Sequence, residues 1–285
     1  MSMHRSTSHR ARCIHHSGYS TLTIIATTAI TIASQAGTVI NVPADQPTIQ
    51  SAITAASNGD EIIVAPGNYP EMIDYSGKFI TVRSSGGPAI TTIDATSVPD
   101  PGIGVSVVRF VLGEGPTSIL DGFTITGGSG DTNIFGGATP LGGGIAISNS
   151  GPTIRDCVIT GNTARIGGGV FSDSGFPPFD NCTFDDNHTT ANGNGGAVYI
   201  FRDVAPFSIM FTDCTFSNNS TPGNGAAIYL DGTLAEVRIA DSTITRNIAG
   251  GSKGGAIFAD APGGLSIERS TFSINDIDRG RGGAL

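Results

Sequence analysis

Hydrophobic residues in this chain come in short bursts that alternate with polar ones, and the bursts recur. Ile145, Val170, Val198, Ile228 and Ile257 each open a run that alternates in period two, as a strand does. Each run follows a small-residue triplet such as Gly142-Gly143-Gly144, Gly167-Gly168-Gly169, Gly195-Gly196-Ala197, Gly225-Ala226-Ala227 or Gly254-Gly255-Ala256. Between the runs lies a second phrase, Cys157-Val158-Ile159-Thr160-Gly161-Asn162, repeated from Cys182, Cys214, Ser242 and Ser270. Its closing asparagines, Asn162, Asn187, Asn219, Asn247 and Asn275, are spaced by 25, 32, 28 and 28 residues. A period of that length marks a solenoid or array. Three short strands and three turns fill it, which predicts one rung of a parallel β-helix.

Earlier strands are read at Thr38 to Val42, Glu61 to Ala65, Phe79 to Arg83, Ala89 to Ile93, Val105 to Leu112 and Ile119 to Ile125. They are β-branched and bounded by Gly, Pro, Ser and Asp. The one helical pattern follows Pro47-Thr48, where Ile49, Ala52, Ile53 and Ala56 share a face over about ten residues before Asn58-Gly59 stops it. A repeat stack needs a cap, so this helix is expected over the N-terminal end. Residues 37–58 form the cap and 59–285 the array. At about 4.8 Å per rung the array is about ten rungs and on the order of 45 Å long. It stops at Gly283-Ala284-Leu285, partway through a rung. An incomplete C-terminus is therefore expected: a fragment, a truncated frame or a partner-capped array.

Period two sets the faces. Ile145, Val170, Val198, Ile228 and Ile257 point inward, as do Ile147, Ser172, Ile200, Leu230 and Ala259. Ala146, Phe171, Tyr199, Tyr229 and Phe258 then point outward, beside an outward acidic file of Asp173, Asp231 and Asp260, with Asp203 arriving two residues late in its rung. Cys157, Cys182 and Cys214 stack inside as small apolar groups. An odd number of cysteines, replaced by Ser242 and Ser270 in the last rungs, suits neither a disulfide framework nor a metal site. The asparagines are expected to form a corner ladder on left-handed backbone.

Composition narrows the function. Glycine is 41 of 285 residues, without the triplet period of collagen. The formal charge of −9 argues against nucleic acid or an anionic membrane as partner. Residues 1–36 read as a signal peptide. Arg5, Arg10 and Arg12 make its basic start, Leu22 to Ala33 its apolar run, and Ser34-Gln35-Ala36 a cleavage site before Gly37. Losing three arginines takes the charge to −12. The mature chain is expected to be secreted, periplasmic or on the cell surface, without a membrane span.

Two segments carry a resemblance. Residues 47–53 (Pro-Thr-Ile-Gln-Ser-Ala-Ile) and 59–69 (Gly-Asp-Glu-Ile-Ile-Val-Ala-Pro-Gly-Asn-Tyr) resemble the N-terminal part of right-handed parallel β-helix proteins of the pectin-lyase-like superfamily. The Gly-Gly-Ala-Ile and Phe-x-x-Asn phrases resemble the repeats of chlamydial polymorphic outer-membrane proteins. The resemblance implies an all-β, right-handed parallel β-helix. It leaves the activity open, because that superfamily spans lyases, hydrolases, adhesins and surface proteins.

The leading expectation is binding of a glycan or another cell-surface ligand through Phe171, Asp173, Tyr199, Asp203, Tyr229, Asp231, Phe258 and Asp260. The second is a polysaccharide lyase or glycoside hydrolase. Asp203, Asp231 and Asp260 on neighbouring rungs match the spacing of paired carboxylates, and stacked acids raise one another's pKa. A lyase resembles a system of Arg or Lys base with acid-held Ca²⁺; Arg202 and Arg238 are the nearest bases, in no lyase motif. A third reading is a structural fragment of a larger surface protein. Gly127-Gly128-Ser129-Gly130-Asp131 is a single, off-register approach to a Ca²⁺ repeat, so no cofactor is assigned and Ca²⁺ stays open. His188 is the one histidine after residue 36, which excludes a histidine cluster.

Overall fold

The computed structural model describes residues 37–100, 104–134, 137–175, 177–202, 208–232, 236–251, 253–260, 264–278 and 283. The proposed signal peptide and its cleavage site lie outside them, as does Asp203. No helix among the described residues is long and apolar enough to cross a membrane.

The described chain is a parallel β-helix closed at its start by one short helix. Its strands stack rung on rung into sheets of nine, eight, seven and five strands, every paired strand parallel to its neighbour. The fourth sheet was not foreseen. It is built of two-residue strands such as Thr163–Ala164 and His188–Thr189, just after the asparagine corner. The longest sheet has nine strands where about ten rungs were expected. Two early coils consume the difference: Thr81 pairs with Ile119, 38 residues on, and Ile119 with Thr153, 34 on. Expected strands form with shorter bounds, two of them displaced toward the C-terminus as Thr81–Ser84 and Thr91–Asp94, except that Ile119 to Ile125 divides into Ile119–Asp121 and Thr124–Thr126, in different sheets. Gly122, at φ +81°, turns the corner between them.

The cap is Ile49–Ala55, seven residues rather than ten. Its apolar face forms as expected, with Ile49, Ala52 and Ile53 buried. Thr48 caps it, accepting from the Ser51 amide at 3.0 Å. The array also holds both helix ends. The Glu71 carboxylate accepts from the amides of Ile49 and Gln50, each at 2.9 Å. The Lys78 ammonium donates to the carbonyls of Ile53, Thr54 and Ala56 at 2.6–2.8 Å. Acid at the start and base at the end complement the helix dipole and its unpaired backbone groups.

Inside, the files predicted by the repeats are in register. Cys157, Cys182 and Cys214 are buried in one core cluster, and each carbonyl bonds the amide that follows the next member of the file. Burial pushes the Cys157 thiol up to about 12 and that of Cys182 well above its ordinary value. Phenylalanines add two further columns, with Phe179 and Phe211 stacked at 5.1 Å and Phe184 and Phe216 at 4.6 Å.

The asparagine ladder is present, but its backbone assignment shifts by one. The left-handed residues are Gly161, Asp186, Asn218, Arg246 and Ile274, each immediately before its asparagine. The asparagine side chains point inward and are buried from Asn162 to Asn247. The left-handed residue makes the corner that aims the next side chain into the rod. The same device precedes the cysteine file, at Asp156, Asn181, Asp213, Asp241 and Arg269.

Candidate functional site

The aromatic file runs along the outer side of the seven-stranded sheet. In register it reads Asp74, Arg109, Ala146, Phe171, Tyr199, Tyr229 and Phe258. Its inward neighbours, such as Val170, Val198 and Ile228, belong to the main core, whereas Phe171, Tyr199 and Tyr229 form a separate cluster with Leu141. The period-two assignment of faces therefore matches the fold.

Outward does not mean exposed here. Phe171, Tyr199 and Tyr229 are only 3, 7 and 9 % exposed. Two causes combine. The rings lie on each other: Tyr199 and Tyr229 are stacked at 4.9 Å and 3°, and Phe171 and Tyr199 at 5.8 Å and 14°. Chain from outside the repeat pattern also covers them. Residues 131 and 141 form an antiparallel bridge, Leu141 bridges to Ile166, and Ile134, Leu141 and Ile166 pack on the file. The inner ring faces are thus occupied, so a ligand meets ring edges, the hydroxyl end of the file and the rings at its margins.

The second outward file differs from the sequence reading at one rung. Asp173 pairs with Phe201, Phe201 with Asp231 and Asp231 with Asp260. Phe201, not an acid, fills the file between Asp173 and Asp231, because the strand Val198–Arg202 continues straight through that position. Asp173 and Asp231 are consequently two rungs apart, about 9.6 Å by strand spacing, while Asp231 and Asp260 are one rung apart, about 4.8 Å. The structure brings together Phe171, Asp173, Tyr199, Tyr229, Asp231, Phe258 and Asp260 on one face; only Asp203 is outside the described residues.

The two files are joined by a diagonal hydrogen bond. The Tyr199 hydroxyl donates to the Asp231 carboxylate of the next rung. Burial, with that hydrogen bond and the charge of Asp231 behind it, raises the Tyr199 phenol well above its ordinary range, so it stays a donor at neutral pH. Tyr229 is raised in the same direction, by burial and then by Asp231 and Asp260. At the N-terminal end, the Arg109 Nε stands 3.1 Å from an Asp131 carboxylate oxygen and 3.6 Å from one of Asp74. It makes no aligned hydrogen bond there, so the group is an ion-pair cluster. Asp131, the residue of the Ca²⁺-like phrase, is engaged with Arg109 and the Asn133 amide.

Beside the file is an open cavity of about 280 Å³, lined by Thr132, Gly137, Thr139, Leu141, Ile166, Phe171, Tyr199 and Phe201. The size approaches that of small-ligand pockets, and the lining of apolar groups with a few hydroxyls is their usual chemistry. Phe201 is 38 % exposed at this cavity. Sequence reasoning missed both Phe201 and the wall of Thr132, Gly137, Thr139 and Leu141. The aromatic at 201 was visible, but its file depended on where the strand ended; the wall has no repeat signal at all. Among the described residues, no group of three or more His, Cys, Asp or Glu is placed to hold a metal ion. Arg238, one of the two bases named for a lyase, is on the nine-stranded sheet and bonds Glu268 at 2.8 Å, away from this face.

Residues 121–272 match the family described as the right-handed β-helix region. No curated protein matches the sequence significantly. Among solved structures, a pectin methylesterase in complex with a hexasaccharide is 10 % identical, with a TM-score of 0.43, over 80 % of this chain and 81 % of that one. A point mutant of pectin methylesterase, also with a hexasaccharide, is 11 % identical with a TM-score of 0.42 over the same shares.

Proposed function

Because the chain belongs to the right-handed β-helix family, with one outer face that is both aromatic and acidic, we propose that it is a secreted or cell-surface binding protein whose ligand is a glycan or another surface molecule. The observation that carries this is the cavity bounded by Phe171, Tyr199 and Phe201, with the Tyr199 hydroxyl already held by Asp231. Preorganised polar groups at the edge of an apolar cavity lower the ordering cost of binding. Secretion is supported by the basic and then apolar pattern of residues 1–36, and surface display by the phrases resembling polymorphic outer-membrane repeats.

Glycan-array binding tests it. Truncating Tyr199 and Tyr229 to Ala is a poor probe, since removing buried aromatics costs about 3–5 kcal/mol of stability. Tyr199→Phe removes one hydroxyl and Asp231→Asn one charge. Binding to at least one glycan, weakened about tenfold in either variant, is expected. No bound glycan, or binding indifferent to both changes, refutes the reading.

A second reading rests on Asp231 and Asp260, adjacent in register and close to the separation of paired catalytic carboxylates. Incubation with pectate, alginate and neutral polysaccharides, with and without Ca²⁺, separates the two. New reducing or unsaturated ends that vanish in Asp231→Asn establish an enzyme; their absence leaves binding as the function.

A further inference from the structure

The cavity beside the aromatic file carries an inference about the charge of what enters it. Its walls are apolar and aromatic with the hydroxyl groups of Thr132, Thr139 and Tyr199, and no charged side chain among the described residues lines it. Its mouth is different. Phe201, the exposed ring of the lining, is in register between Asp173 below and Asp231 above. Each of the two residues is one rung away, about 4.8 Å between neighbouring strands. Asp260 extends the acidic file by another rung. Of the cations on this face, Arg109 is paired with Asp131 and Lys253 stands 5.9 Å from the Phe258 ring centre, and neither lines the cavity.

An anion entering this site meets two carboxylates and the negative ring face of Phe201. A neutral group gains apolar contact and hydrogen bonds to hydroxyl groups, but nothing from the carboxylates' charge. An organic cation gains three things together: burial of its carbon surface, attraction to the ring faces, and attraction to the flanking carboxylates. Aromatic rings attract ammonium groups, most strongly where water is excluded. Low-dielectric walls also focus the field of nearby charges. We propose that this cavity is a binding site for an organic ammonium group, a quaternary or alkyl-substituted amine small enough for about 280 Å³. Phe201 supplies the ring face, Phe171 and the edge of Tyr199 line the walls, and Asp173 and Asp231 supply the charge. This goes beyond the glycan reading, because it sets the charge of the ligand whatever its backbone.

Titration calorimetry of the purified protein with tetramethylammonium tests it, against neopentyl alcohol as a neutral group of similar size and pivalate as an anion of similar size. Saturable one-to-one binding is expected for the cation, at least tenfold tighter than for the alcohol, with none for the anion. Asp231→Asn and Phe201→Leu should each weaken the cation at least fivefold; the leucine keeps the apolar bulk and removes the ring. Circular dichroism of each variant verifies that the fold is intact. Equal affinity for cation and alcohol, no binding of the cation, or undiminished binding in the folded Phe201→Leu protein overturns the inference. Glycan-array results on neutral sugars are independent of these outcomes, so failure here and failure of the glycan reading are told apart.

Discussion

The side-chain amide of Asn187 donates to the side-chain oxygen of Asn219 at 3.0 Å, and the Asn187 backbone amide donates to the same oxygen, also at 3.0 Å. Asn219 passes the pattern on, donating to the Phe184 carbonyl and to the Asn247 side-chain oxygen, each at 2.9 Å. Each asparagine from Asn162 to Asn247 thus bonds to the rungs on both sides of its own, while Asn275 bonds to the preceding one. The file closes a corner where the backbone cannot pair with itself, and it does so inside the rod, where an unmet polar group is costly.

Asn219→Ala leaves four hydrogen bonds unmade in a dry corner. The expected loss is about 4 kcal/mol, at roughly 1 kcal/mol per bond with the orphaned groups adding to it. Denaturant unfolding measures it. A loss below about 1 kcal/mol would show that water replaces the ladder.

Ser172 is the reverse case. It occupies an inward file between Ile147 and Ile200, and its buried hydroxyl has no hydrogen-bond partner among the described residues. Ser172→Ala removes a desolvated group and little volume. Stability should rise by about 1 kcal/mol, seen as a higher denaturant midpoint with an unchanged slope.

Ile274 holds the left-handed corner position, at φ +55°, and is 70 % exposed. A β-branched residue there is strained, by about 1–2 kcal/mol. Its equivalents are Gly161, Asp186, Asn218 and Arg246. Ile274→Asn copies the residue at 218 and should raise the melting temperature by about 2–4 °C for each kcal/mol relieved. Calorimetry decides; a lower melting temperature would mean that the isoleucine contributes contacts worth more than its strain.

Alkaline pH should loosen the rod through its thiols. An unfolded cysteine titrates near 8.5, whereas Cys157 in the fold holds its proton up to about 12. Between these values the unfolded chain has lost the proton and the folded chain has kept it. Stability from this group is whole below about pH 8 and falls as pH rises, by about 1.4 kcal/mol per unit. Cys182 and the buried phenol of Tyr75 are shifted in the same direction by burial. Urea midpoints should drop between pH 8 and pH 10.5, and less steeply in Cys157→Ala. Equal slopes in the two proteins would contradict the assignment.

Most of the rod is legible in one dimension. A parallel β-helix places equivalent residues of each coil above one another, so the recurrence of Cys157, Cys182 and Cys214, or of Asn162 to Asn275, is itself a statement about contacts. Period two then gives each side chain its direction, as for Val198 inward and Tyr199 outward. The helix face of Ile49, Ala52 and Ile53 was readable for the same reason: short-range periodicity is a local property of the chain.

Other features depended on neighbours far along the chain. That Tyr199 is covered follows from Leu141 and Ile166, which belong to other coils, and from Tyr229 stacked on its ring. That Phe201 replaces an acid between Asp173 and Asp231 follows from how far a strand continues before its turn. That the left-handed residue precedes the asparagine follows from the path of the corner. Direction along a strand is set by the covalent chain and its alternation, so the amino-acid order determined the files. Cover, register at a strand's end and the partner of each hydroxyl are set by what packs against them, and only the assembled coils decided those.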